Sequence, residues 1–148
     1  MSPGVSLMDY STLITPNGHF TWHDYALLRE WNAYAIPMPS EIQSAIFLFR
    51  QIEELIRVPL GKPIYVASGA RTAAYTAHLR SRGIQAAIGS AHNTWQAVDL
   101  RTPAGMTNKE WWVYCDARWP GRMENLKYTP TWVHIDTRQW GQRIRFNP

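Results

Sequence analysis

The segment Ser40–Ile56, "SEIQSAIFLFRQIEELI", constrains the fold of this chain more than any other. Ile42, Ala45, Ile46, Phe49, Ile52 and Ile56 recur at helical spacing and lay a continuous apolar stripe along one side of a long helix. Ser40 with Gln43 three residues on reads as a capping box at its start, and Pro59 and Gly61 end it. A stripe of that length has to be buried against another layer of structure.

The remaining segments are shorter. Thr21, with Asp24 three residues on, is a plausible N-cap for a helix through "WHDYALLREWNA". "PIYVA" (63–67) reads as a short buried strand, and "SGAR" (68–71) turns the chain into the helix "RTAAYTAHLRSRG", closed by Gly83 at the C′ position. "IQAAI" (84–88) and "QAVDL" (96–100) read as two strands flanking a small-residue loop. Thr107 and Glu110 make a capping box for a helix through "KEWWVYCDAR"; "WPGRMENLKYTP" (119–130) is a Pro/Gly-punctuated loop. "TWVHID" and "RIRF" are the last strands. Helices lead and strands follow without βαβ alternation, which gives an α+β fold with helices packed on a small antiparallel sheet. At 148 residues the chain reads as one domain, 1–148, with residues 1–20 as an N-terminal extension.

Composition narrows the function classes. The single Cys115 lies in an apolar-rich segment, which excludes an intramolecular disulfide and a multi-cysteine metal site and assigns it to packing. Residues 1–20 show neither a basic n-region followed by a long apolar stretch nor a membrane span, so an action outside the cytoplasm requires another route of release. A net charge of +4 favours anionic partners. The basic residues are dispersed, however, with no run and no basic helix face, and this argues against nucleic acid.

The chemistry-bearing residues gather late in the chain. On the strand "TWVHID", Trp132, His134 and Asp136 share one face while Val133 and Ile135 take the other, which belongs to the core. Asp99 sits on its own short strand, seven residues after His92, and meets His134 if the two strands pair. Two neutral imidazoles and a carboxylate form a three-ligand zinc set with a fourth position open for water, the arrangement a catalytic zinc requires. His19, His23 and His78 belong to no such pattern.

The motifs "SGAR" (68–71), "SAHNTWQAVDL" (90–100) and "WVHID" (132–136) together resemble those of the zinc D-Ala-D-Ala peptidases that share a fold with the Hedgehog signalling domain. The resemblance spans roughly residues 20–140 in order and spacing. It implies that His92, Asp99 and His134 are zinc ligands, that Arg71 orients the substrate near its reacting carbonyl or terminal carboxylate, and that Ser90 supports the ligand loop. The implied reaction is amide hydrolysis in a peptidoglycan peptide, by trimming a terminal residue or cutting between two. Zinc would polarise the carbonyl and lower the pKa of its water to about 7, and a carboxylate would move the proton.

Two positions depart from the family pattern. Its ligand-turn glycine is Trp95 here, so either the loop holds a conformation a bulky residue tolerates or the indole lines the cleft, beside Trp132 on the rim. Many members carry an acid three residues before the last histidine, where this chain has Thr131. Asp136 and Glu124 are the replacement candidates for the general base, with Asp116 a distant third; Asp136 alternatively holds an imidazole in the right tautomer. With no working base, the domain would be a zinc-bound module with a structural or wall-binding role, for instance in a phage particle. Small size, basic charge and the first twenty residues resemble a phage-type lysin, made in the cytoplasm and reaching the wall after release or with virion or tail components.

Overall fold

The computed structural model describes residues 8–148 and has an α+β architecture. Of the segment read as an extension, residues 1–7 lie outside the described residues. From residue 8 onward the chain is built into the domain: Ile14 and Phe20 are core residues, and Leu13 bridges to Thr21. Among the described residues no helix is long and apolar enough to cross a membrane.

Thr21 caps α1 (Trp22–Ala26) through a complete capping box with Asp24, but the helix ends after five residues. The chain then forms the two-residue strands β1 (Leu27–Leu28) and β2 (Ala33–Tyr34), paired antiparallel, where the sequence reads as continued helix. The stop has a tertiary cause. The Tyr25 carbonyl accepts from the Ala70 N–H at 2.8 Å, and the Tyr25 hydroxyl donates to the Ala97 carbonyl at 2.8 Å, so α1 is tied to the sheet rather than extended.

The long helix α2 (Pro39–Ile52) starts one residue before the Ser40 capping box read from the sequence. Pro39 takes the first helical position, where its fixed φ fits and its missing N–H costs nothing, and the Met38 N–H donates to the Glu41 carboxylate at 2.8 Å. Ala45, Leu48, Phe49 and Ile52 are fully buried, whereas Ile42 and Ile46 lie at the stripe's edge. A π-turn over Glu53–Arg57 and a last turn, Val58–Leu60, carry the helix to Gly61, whose φ of +72° ends it. Pro59 sits inside that last turn, where it has no N–H to give to the helical ladder.

Helix α3 (Ala73–Ser81) is capped by Thr72, whose hydroxyl accepts from the Tyr75 N–H at 3.0 Å. It closes as expected at Gly83: the Gly83 N–H bonds Arg80 O and the Ile84 N–H bonds Leu79 O, the two bonds of a Schellman motif. Helix α4 (Asn108–Asp116) opens on the Thr107–Glu110 capping box.

The main sheet has the order β3-β4-β6-β5-β7, from β3 (Val66–Ser68), β4 (Ala97–Arg101), β5 (Arg122–Glu124), β6 (Trp132–Asp136) and β7 (Ile144–Phe146). It departs from the sequence reading in three places. Residues 84–88 form no strand. The Pro/Gly-punctuated segment contains β5, which buries Met123 completely. And β7 runs parallel to β5, because the chain turns back after β6 while β5 lies between the two.

The sheet has two unlike faces. Val98, Leu100, Val133, Ile135 and Met123 are fully buried on one, within the same core as α2, Trp111 and Cys115 of α4, and Trp119. Burial drives the Cys115 thiol pKa well up, as befits a packing residue. The other face is the polar one.

Candidate metal centre

The polar face is organised as one transverse rung. Asp99 on β4 pairs directly with His134 on β6, and Glu124 on β5 pairs with Phe146 on β7. Because Met123 pairs with Ile135, the same register brings Glu124 opposite His134. The first strand joins through an irregularity: Val66 pairs with Leu100, yet Ser68 pairs with Asp99. In regular alternation Ser68 would share Val66's core face; the bulge moves it to the polar face, with the "SGAR" turn following at once.

That turn is held closely. A Cβ on Gly69 would lie 2.0 Å from the Tyr25 carbonyl oxygen, so only glycine fits there. The Gly69 carbonyl in turn accepts from His92 Nδ1–H at 2.8 Å, which fixes the tautomer and leaves the Nε2 lone pair facing Asp99 Oδ1 at 3.5 Å. His134 Nδ1 lies 2.9 Å from the same oxygen, and its Nε2 lies 3.1 Å from Asp136 Oδ2. One ligand atom from each of His92, Asp99 and His134 falls within 4.8 Å of the others, and all three residues are buried.

Electrostatics divides the imidazoles. Burial lowers the His92 pKa, against the attraction of Asp99, so His92 is neutral. Burial also works against the His134 imidazolium, but hydrogen bonds to Asp136 and Asp99 prevail and raise its pKa to about 9. Asp99 is held well below the usual carboxylate range: its burial opposes ionisation, and His92 and His134 overcome that opposition.

The donor set suits a divalent ion. A tetrahedral ion with bonds of about 2.0 Å keeps its ligand atoms about 3.3 Å apart. The separations of 2.9 and 3.5 Å to Asp99 Oδ1 bracket that value. Three protein donors with one side turned to a cavity make an open site rather than a closed structural one.

That cavity measures about 1020 Å³, and Arg71, Ser90, Glu124, Trp132 and Asp136 line it together with the three candidate ligands. The Arg71 guanidinium donates to Ser68 Oγ at 2.9 Å and stands 3.9 Å from Asp99 Oδ2. Ser90 bonds the Asn93 side chain at 3.2 Å within the ligand loop. Glu124 is half-buried; desolvation raises its pKa, offset in part by His134. Asp136 is fully buried, engaged by His134 and by the Arg138 N–H at 3.1 Å. Asp116 lies elsewhere, bonded to Arg143 and Arg145, and Thr131 is exposed. His19, His23 and His78 pair with Glu53, Tyr34 and Glu30 away from the cavity.

The structure does not bring Trp95 into the cleft. The indole is 2% exposed and packs edge-on against Tyr25, with centroids 5.7 Å apart, while its backbone adopts a φ of +61°. A left-handed conformation costs a residue with a Cβ roughly 1–2 kcal/mol. Loss of a buried tryptophan side chain costs about 3–5 kcal/mol. Trp95→Gly is therefore expected to destabilise the protein by about 1–4 kcal/mol, read as a lower denaturant midpoint. A variant as stable as the parent would mean that backbone strain outweighs packing at this turn.

Sequence reasoning missed Arg122, Arg138 and Phe146, which also line the cavity. The available signal was the alternation Arg122-Met123-Glu124 around one apolar residue, obscured by the neighbouring proline and glycine. Comparison with protein-family models, curated proteins and solved structures finds no match to this chain.

Proposed function

We propose that the chain is a zinc-dependent peptidase that hydrolyses amide bonds in peptidoglycan peptides, of the D-Ala-D-Ala peptidase class its motifs resemble. The observation that carries this reading is the open side of the His92–Asp99–His134 set, which faces a cavity also lined by Glu124 and Arg71. Zinc held there supplies a Lewis acid and a water of lowered pKa. Glu124, in register with His134 and raised in pKa by desolvation, is the proton carrier that Thr131 cannot be. Asp136 acts as a positioning residue: its carboxylate holds His134 Nε2 and so presents Nδ1 to the metal. Arg71 presents a guanidinium to a carbonyl or carboxylate of the peptide. The basic charge suits an anionic wall.

The alternative is a zinc-bound module without catalysis, with a structural or wall-binding role; the exposed Thr131 in place of the usual acid favours it. Purified walls decide between them. Digestion is expected to release new amino termini, to stop on addition of a chelator and to resume with zinc. Unchanged walls at full zinc occupancy would establish the inactive module.

A further inference from the structure

Two guanidiniums in the cavity lack the partners that other arginines of this protein have. Arg29 and Arg80 donate to the carbonyls of Val66 and Ala86, and Arg143 and Arg145 to Asp116. Arg122 and Arg138 line the cavity, yet among the described residues neither guanidinium donates a hydrogen bond, and Arg138 Nε is buried without a partner. Arg122 is nonetheless held in place, packed 4.4 Å over the Phe146 ring, with Asp136 Oδ2 at a loose 3.9 Å. Asp136 is already engaged by His134 and the Arg138 N–H, so it does not saturate the two side chains. Half-buried, unsatisfied donors beside a cavity, one of them fixed by packing on an aromatic ring, are what an anion subsite needs.

The place of Arg122 in the sheet says where such an anion lies relative to the candidate metal centre. Arg71 follows β3, Arg122 lies on β5, and the strands of Asp99 and His134 run between. From β3 to β5 is three strand spacings, about 14 Å. The two arginine positions thus stand on opposite sides of the candidate metal centre. The cavity carries four arginines, Arg71, Arg80, Arg122 and Arg138, against Asp99, Glu124 and Asp136, and a divalent ion would add to the positive excess.

We propose that Arg122 and Arg138 form a carboxylate-binding subsite, and that the cleft selects acidic peptides bearing a carboxylate on that side of the scissile bond. This deepens the peptidase reading and rests on it for the identity of the bond. The subsite itself is a binding property and is testable without turnover.

The probes are a synthetic wall stem peptide with a free glutamate carboxylate and its counterpart with that carboxylate amidated. Binding to zinc-loaded protein is measured by calorimetry, with hydrolysis followed in parallel. The acidic peptide is expected to bind about ten- to a hundredfold more tightly, the range of a charge-assisted hydrogen bond. Arg122→Gln and Arg138→Gln, tested separately, are expected to reduce or abolish that preference while leaving affinity for the amidated peptide unchanged, which also reports an intact fold. Equal affinity for the two peptides, no binding of either, or a full preference in both variants would overturn the subsite. Hydrolysis of both peptides without preference would leave the peptidase and remove the subsite. Arginine-dependent binding of the acidic peptide without hydrolysis would keep the subsite and remove the peptidase.

Discussion

On the proposed peptidase reading, Glu124→Gln is expected to leave the metal bound and to lower peptide turnover by about a hundred- to ten-thousandfold, the range for removal of a positioned acid–base group. Gln keeps the size and polarity of the side chain, so the cavity wall is preserved and the proton-accepting oxygen is lost. Asp136→Asn acts differently. Its carboxylate borders the cavity but is fully buried, and it already holds the imidazole through Nε2. Weakening that contact is expected to lower metal affinity about ten- to a hundredfold, with activity recovering when zinc is supplied in excess. Kinetics at saturating zinc together with metal titration of each variant separate the two roles. If Asp136→Asn abolished turnover at full zinc occupancy while Glu124→Gln turned over normally, the assignment would be reversed. If neither variant lost turnover, the proton would be carried by another group.

The fold and the candidate site were legible in the sequence to different depths. Local signals sufficed where chain-neighbouring residues decide the outcome: the Thr107–Glu110 box and the Gly83 closure each depend on a few adjacent groups. His134 was legible because a strand's alternation is a local property, and the β4–β6 pairing then put Asp99 directly opposite it; His92 lies in a turn and was legible only through its spacing from Asp99 and the motif around it. Signals failed where distant groups decide. Tyr25 is tied to Ala70 and Ala97, which ends α1 early, and no property of "WHDYALLREWNA" announces it. β5 owes its existence to Met123 entering the core and to the Trp112 indole N–H donating to the Glu124 carbonyl at 2.9 Å. The bulge before Ser68 is invisible in a five-residue strand, yet it sets which face the "SGAR" turn serves. Trp95 reverses the usual logic: a glycine-type backbone is occupied by the largest side chain because Trp22 and Tyr25 surround it.

His134→Ala is expected to abolish stable metal binding, with elemental analysis giving about one zinc per chain in the parent and none in the variant. The pH dependence of binding follows from the two imidazoles. His92 is neutral and gives up no proton, whereas metal-free His134 carries one up to about pH 9. A metal binding at His134 Nδ1 must displace that proton, so apparent zinc affinity falls about tenfold per pH unit below that value. Stability of the metal-free protein runs the opposite way. The folded pKa of His134 lies above the unfolded value of about 6.5, so its contribution is complete below pH 6.5 and is lost as pH rises through 9. The loss within that window is at most about 1.4 kcal/mol per pH unit. Asp99, depressed in pKa, keeps its contribution across this window and loses it only in strong acid. Zinc-induced stabilisation, read as the shift in melting temperature on adding the metal, therefore grows from pH 6 to pH 9 while the metal-free baseline declines. An affinity that stayed flat over that range would mean that His134 reaches the metal without releasing a proton, and the Asp99–His134–Asp136 chain of contacts would not be the device that tunes the site.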